Sequence, residues 1–225
     1  MKLKTGSNLS GIAFAVLVLF LLYFCGPSIC RFLSGSNVLD AKNLFYSRIL
    51  FWLGLLLILL YAVKVERSRL LILPEQRLSL VTWLLSLVGL FVACFIGMLI
   101  IQLLLHGANG HSDIQDRLVG IFRHNIPLLV FTCITAGIAE ELIFRGYLLP
   151  RLEQVFKNGH VAVFISSALF GLIHYKFGTI FHMAGPFVIG ILYAYHYRKY
   201  RNIKILILSH FLWDMMALLV LVNKH

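Results

Sequence analysis

The chain has little charge. Lys, Arg, Asp and Glu together make up 13% of its 225 residues, and only nine are acidic, against roughly 25% charged residues in an ordinary soluble domain. A surface facing water on all sides cannot be built from so few charges, which points to lipid as the solvent. Cysteine is also sparse. Of Cys25, Cys30, Cys94 and Cys133 none belongs to a CxxC or Cys/His zinc pattern, so the four read as apolar filler with no structural disulfide expected. The compact His-Glu-x-x-His zinc signature is missing as well. There is no fixed-period repeat, low-complexity stretch or long linker, which leaves a single domain over residues 1–225.

What is abundant is apolar sequence, 60% of the chain. A membrane-crossing helix needs about 20 mostly apolar residues. Seven runs qualify or nearly so, at 11–30, 45–63, 79–105, 126–149, 161–175, 179–197 and 204–222. The expected fold is an all-α polytopic membrane helix bundle of about seven transmembrane helices, with six to eight as the range. Runs five and six are short and joined only by residues 176–178, as in a tight or tilted hairpin. The first run resembles a signal-peptide core. Cys25-Gly26-Pro27-Ser28 offers no small-x-small cleavage site, however, so the run is expected to be retained.

A net charge of +11 would suggest nucleic acid in a soluble protein, but here the basic residues lie in the loops between spans, where topology explains them and no nucleic-acid partner is expected. With the N-terminus in the cytoplasm, the inner loops carry Lys2, Lys4, Lys64, Arg67, Arg69, Arg77, Arg151, Lys157, Arg198, Lys199, Arg201 and Lys204. The outer loops then carry the smaller set Arg31, Lys42, Arg48, Arg117, Arg123, Lys176 and Lys224. The longest hydrophilic insertion, 106–125, holds His106, His111, Asp113, Asp116, Arg117, Arg123 and His124 and is expected to form an interfacial loop or short helix. Its histidine spacings match no ligand motif.

Ionisable residues inside the spans are unevenly distributed. Residues 1–125 hold almost none in their apolar runs and read as anchoring spans and a loop. Nearly all fall in 126–222, which reads as a core of catalytic helices. An ionised group near the centre of a spanning helix costs about 2.5–3.5 kcal/mol of insertion free energy, so residues of this kind are functional candidates by default. Span four contains Glu140, Glu141 and Arg145. Glu141 and Arg145 are four apart and share a face, in the favoured acid-before-base order; Glu140 points about 100° away without that partner. Span five places Phe170 and His174 at i, i+4, and span seven does the same with His210 and Asp214. Small residues, among them Ala136, Gly137, Ser167, Gly171, Gly190 and Ala194, allow close helix approach. His182, near Pro186, pairs with nothing in sequence and reads as a spectator.

The ordered set Glu-Glu-x-x-x-Arg (140–145), Phe-x-x-x-His (170–174) and His-x-x-x-Asp (210–214) resembles the CAAX-protease and bacteriocin-processing family of intramembrane peptidases, also called the Abi family. The resemblance covers roughly 126–222. It implies that Glu140 activates water, that His174 assists, and that His210 with Asp214 stabilises an oxyanion, with Glu141, Arg145 and Phe170 in support. Asp214 departs from the Asn of the eukaryotic prenyl-protein proteases, and an ionised Asp cannot donate to an oxyanion. It would have to be protonated, orient His210, or bind metal. Two mechanisms fit the residues. In the favoured one no metal takes part: Glu140 takes a proton from water held with His174, and His210 stabilises the tetrahedral oxyanion. In the other, zinc is held by His174, His210 and Glu140 or Asp214 and lowers the pKa of its water.

The function expected is hydrolysis of a peptide bond in a membrane-associated protein or peptide, within the lipid bilayer. The length resembles bacterial members, which places the chain in a bacterial cytoplasmic membrane. Two other classes remain open at this level. A proton-coupled transporter would use the same acids and histidines as a relay, though no inverted repeat supports it, and a non-catalytic binding or immunity protein would use the same scaffold passively.

Overall fold

The computed structural model describes residues 5–105 and 112–224. Lys2, Lys4, His106 and His111, named above, lie outside the described residues. All regular structure among the described residues is helical. Helix α1 (Thr5–Phe24) is followed by α2 (Gly26–Ser34) at a bend of 45°. The single run expected at 11–30 is therefore broken. The break falls where Pro27 opens α2, since proline lacks the N–H that would continue the preceding helix.

Helix α3 (Ala41–Lys64) starts at Asp40, whose side chain accepts the Asn43 backbone N–H at 2.8 Å. Ser79 caps α4 (Leu80–Leu104) in the same way through Thr82. Helix α5 (Asp113–Arg123) is the short interfacial helix expected in the hydrophilic insertion. Then comes one continuous span of 31 residues, Ile126–Phe156. It comprises α6 (Ile126–Thr135), two π-helical stretches at Ala136–Glu140 and Leu142–Leu148, and α7 (Leu149–Phe156). The helix passes through Pro150, beyond the end expected at 149. The wide π turns just before it open the backbone where the proline ring would otherwise meet the preceding turn's carbonyl.

Helices α8 (Gly159–Leu172) and α9 (Phe181–Tyr200) form the anticipated hairpin, joined through a 3-10 turn at Tyr175–Phe177 and Gly178 at φ +80°. The chain ends in α10 (Ile203–Lys224). Among the described residues, five helices are long and apolar enough to cross a membrane, or six if α1 and α2 form one bent span. Helix α9, which covers the sixth apolar run seen in sequence, is not among them. His182, His196, Arg198 and Lys199 dilute its apolar character.

Burial separates centre from periphery. In the span 126–156, 56% of the most apolar window is buried, against 17% in α4. Leu85, Phe95 and Leu104 on α4 and Leu53 and Leu57 on α3 lie exposed, as lipid-facing side chains do. Phe144, Tyr147, Tyr193 and Leu206 are fully buried around the central span. Lipid tails are as apolar as leucine, so close packing by small residues holds the helices together. A Cβ on Gly137 would stand 2.9 Å from the Ile207 carbonyl oxygen of α10, and one on Gly190 would stand 3.0 Å from Ser167 Cβ of α8.

Candidate active site

The central span delivers three charged side chains to the middle of the bundle, and its π geometry is what aims them. π turns inside α-helices are rare and frequent at functional sites. Here they bracket Glu141, so that two consecutive carboxylates reach the same histidine. Glu141 Oε1 accepts from Arg145 Nη1 at 2.7 Å and from His210 Nδ1 at 2.8 Å. Glu140 Oε2 lies 4.0 Å from His210 Nε2. Asp214, one turn further along α10, sits 3.5 Å from the same Nε2.

This arrangement fixes the orientation of the His210 ring. Its Nδ1–H donates to Glu141, leaving Nε2 directed at Glu140 and Asp214, as a positioning carboxylate does for a working imidazole. His174 follows the same rule. It stands just past the end of α8, and its Nδ1–H donates to the Phe170 carbonyl at 2.9 Å, so Nε2 is again the nitrogen left for chemistry.

Phe170 packs all of this together. Its ring centroid is 5.2 Å from that of His174, 6.0 Å from His210 and 5.1 Å from Phe144. The Arg145 guanidinium carbon lies 4.3 Å from it, within cation–π range. Glu141 and Arg145 are 0% and 1% exposed at the side chain, Glu140 7% and Asp214 30%, which makes Asp214 the most accessible acid of the group. The Oε2 atom of Glu140 is buried with no hydrogen-bond partner among the described residues, and buried polar atoms are rarely left so.

All seven sequence-derived site residues thus lie in one neighbourhood, linked by measured contacts. Glu141 meets Nδ1 of His210 while Asp214 faces Nε2. His182 bonds elsewhere, to Thr179 Oγ1 at 2.5 Å and to Gln115 Oε1 of α5 at 2.7 Å. Among the described residues, no group of three His, Cys, Asp or Glu side chains is set to hold a metal ion.

Two features had no signal in sequence. Tyr193 sets its ring edge-to-face 6.1 Å from His210 and 5.6 Å from the Arg145 guanidinium, with its hydroxyl 2.8 Å from Ser209 Oγ; one aromatic in an apolar helix looks like any other. Arg151, assigned above to an inner loop, is instead fully buried. Its Nη2 is 2.5 Å from Glu66 Oε2, its Nη1 donates to the Leu70 and Tyr147 carbonyls, and its guanidinium lies 3.5 Å from the Tyr147 ring centroid. The loop after α3 folds back under the bundle to supply Glu66, so Arg151 is a structural cation and no topology signal.

Residues 122–216 match the family model described as type II CAAX prenyl endopeptidase, Rce1-like. Neither a curated protein nor a solved structure matches the chain. Every residue of the three motifs falls within the matched stretch, and it is the helical core carrying them that is similar to the Rce1-like type II CAAX prenyl endopeptidases.

Proposed function

We propose that the chain is an intramembrane endopeptidase that cleaves a peptide bond of a membrane-associated protein or peptide with Glu140 as its general base. The observation that carries this reading is Glu140 itself: buried, with Oε2 unpartnered, and 4.0 Å from a histidine nitrogen. Glu140 takes a proton from a water that His174 Nε2 helps to hold, and the resulting hydroxide attacks the substrate carbonyl. His210, held as an imidazolium with its Nδ1–H on Glu141, offers Nε2–H to the oxyanion. Glu140 then returns the proton to the leaving amine. Donors held in place within a site that excludes bulk water act strongly on developing charge. In this scheme Asp214 supports the His210 Nε2–H and does not donate to the oxyanion.

The same reading favours a metal-free reaction. If zinc takes part, His174 and His210 with Glu140 or Asp214 would hold it, and it would supply an acidified water. The length favours a bacterial cytoplasmic membrane, and the basic loops between spans favour the N-terminus inside.

The test is cleavage of a mixed membrane-peptide library by detergent-purified wild type, Glu140→Gln and His174→Ala, with and without a chelator. Removing a general base lowers rates by about 10²–10⁴-fold, so wild type alone should cleave, and chelation should leave it active. Loss on chelation, restored by zinc, would replace the metal-free scheme with the metal one. Equal behaviour of all three folded proteins would sink the peptidase reading and leave ion-coupled transport or passive binding.

A further inference from the structure

A second feature lies at the opposite end of α8 from His174, about 20 Å away at 1.5 Å per helical residue. There a cavity of about 880 Å³ opens where the start of α1, the end of α7 and the end of α9 meet. Its wall includes Lys157, Arg198, Lys199 and Arg201 against a single acid, Glu153. Arg198 is committed to Glu153, with Nη2 3.0 Å from Oε1. Lys157 and Arg201 have no ion-pair partner among the described residues, and Lys199 only leans on the Tyr200 ring at 4.9 Å. The cavity therefore keeps an excess of positive charge. Leu73 and the exposed Tyr195 give it an apolar side.

Backbone geometry supplies an independent observation. Lys157 and Arg201 are the C-cap residues of α7 and α9, and both sit in the left-handed region, at φ 52° and 45°. Glycine is the usual residue there, and a long side chain at such a φ is strained. Cations near a helix C-terminus do complement its dipole. Any position in the last turn would serve that purpose without the strain, and of the three basic residues at positive φ, Arg67, Lys157 and Arg201, the two that cap helices line one cavity. The Arg201 turn is also clamped, since its carbonyl accepts from Gln76 N–H at 2.9 Å and Asn202 Nδ2 donates to the Gln76 carbonyl at 3.0 Å. Strained residues that the surroundings hold fixed are a mark of function.

We propose that this cavity binds the phosphate of an anionic membrane phospholipid. Basic pockets between helices at the membrane boundary suit such headgroups. The ends of membrane-crossing helices bring the cavity to headgroup depth, and its mixed wall matches a phosphate joined to an acyl glycerol better than a free ion. The inference does not depend on the catalytic reading.

Native mass spectrometry of the purified chain, offered phosphatidylglycerol or phosphatidylcholine, tests it. Wild type should retain phosphatidylglycerol at least about tenfold better, and the preference should weaken as salt screens the charges. The triple variant Lys157→Asn, Lys199→Gln, Arg201→Asn, with asparagine chosen because it tolerates positive φ, should lose that preference. Removing the same charge from the other end, with Arg117→Gln, Arg123→Gln and Lys224→Gln, should not. Equal retention of the two lipids by wild type, equal loss in both triple variants, or no loss in the first would each overturn the proposal. Displacement of the lipid by millimolar inorganic phosphate would overturn the lipid assignment in favour of a soluble phosphate.

Discussion

Glu140 and Glu141 are adjacent and chemically identical, yet their surroundings divide their work. Glu141 has two donors on Oε1, from Arg145 and His210, and a buried Oε2 with none; Glu140 has a buried Oε2 with none and, among the described residues, no second oxygen held in that way. The predicted consequence is a graded pair of defects. Glu140→Gln should abolish turnover. Glu141→Gln, which weakens the grip on His210 Nδ1, should lower kcat by about 10–100-fold, as loss of an orienting partner typically does, with KM little changed. Steady-state kinetics on any peptide that wild type cleaves separates the two. Equal losses would mean that Glu141 is itself a reacting group.

The Glu66–Arg151 pair makes a different prediction at the same scale. Removing one partner of a buried ion pair strands the other charge, at about 3–5 kcal/mol. Glu66→Gln should therefore lower the unfolding temperature in detergent, while Glu66→Leu combined with Arg151→Met should recover much of it. The chemistry should be untouched in whatever fraction remains folded. The sequence gives no hint of this pair, because 85 positions separate its members and each looks like an ordinary loop charge.

Among elements, the central span matters most. Its motif spacing, Glu140 to Arg145, could be read as an α-helix with Glu140 on a face of its own. The π turns that bring Glu140 and Glu141 onto one imidazole depend on how α6, α8 and α10 pack around the span, which local sequence does not encode. The separation of the central span from α10 is set at Gly137, where an added Cβ would meet backbone at 2.9 and 3.1 Å. Gly137→Ala should push α10 outward, cost about 1–3 kcal/mol as overpacking does, and lengthen the 4.0 Å Glu140–His210 gap, so activity should fall more than stability. A fully active Gly137→Ala protein would show that this helix contact does not set the site.

The start of α3 carries a pH-dependent contribution. Asp40 lies outside the spans, and backbone hydrogen bonding from Asn43 holds its carboxyl below the usual carboxylate value. A depressed folded-state pKa means stability that is present above the unfolded value of about 3.9 and is lost as pH falls through the lower folded value. Asp40→Ala should cost about 1 kcal/mol at neutral pH and flatten the acid limb of a melting-temperature profile. An unchanged limb would assign acid sensitivity to other carboxylates.

At the scale of the whole molecule, the described helices sort their ends into two sets. Asn8 bonds Gln154, Tyr197 bonds Glu75, and Gln76 bonds Arg201, so the start of α1, the loop after α3, the end of α7 and the turn before α10 share one end of the bundle. His182 bonds Gln115 and Lys176 bonds the Tyr23 carbonyl at the other end. The first set carries most of the basic loop residues, which agrees with the alternation of spans expected from sequence once the buried Arg151 is removed from the tally. Cysteine accessibility in intact cells would check the orientation: a residue replacing Arg77 should be shielded from a membrane-impermeant thiol reagent, and one replacing Lys224 should react.

Composition and apolar run length alone determined that this is a helical membrane protein, because an uncharged 20-residue run has no other stable form in lipid. Three spaced motifs determined which side chains meet, since charges inside such helices are too costly to be incidental. Tertiary structure alone decided what each does. It made Glu141 the residue that holds His210, buried Glu140 with its Oε2 lacking a hydrogen-bond partner among the described residues, turned Arg151 from loop charge to core cation, and gathered Lys157, Lys199 and Arg201 around one cavity. Each of these depends on contacts between residues far apart in the chain, formed only when the helices pack.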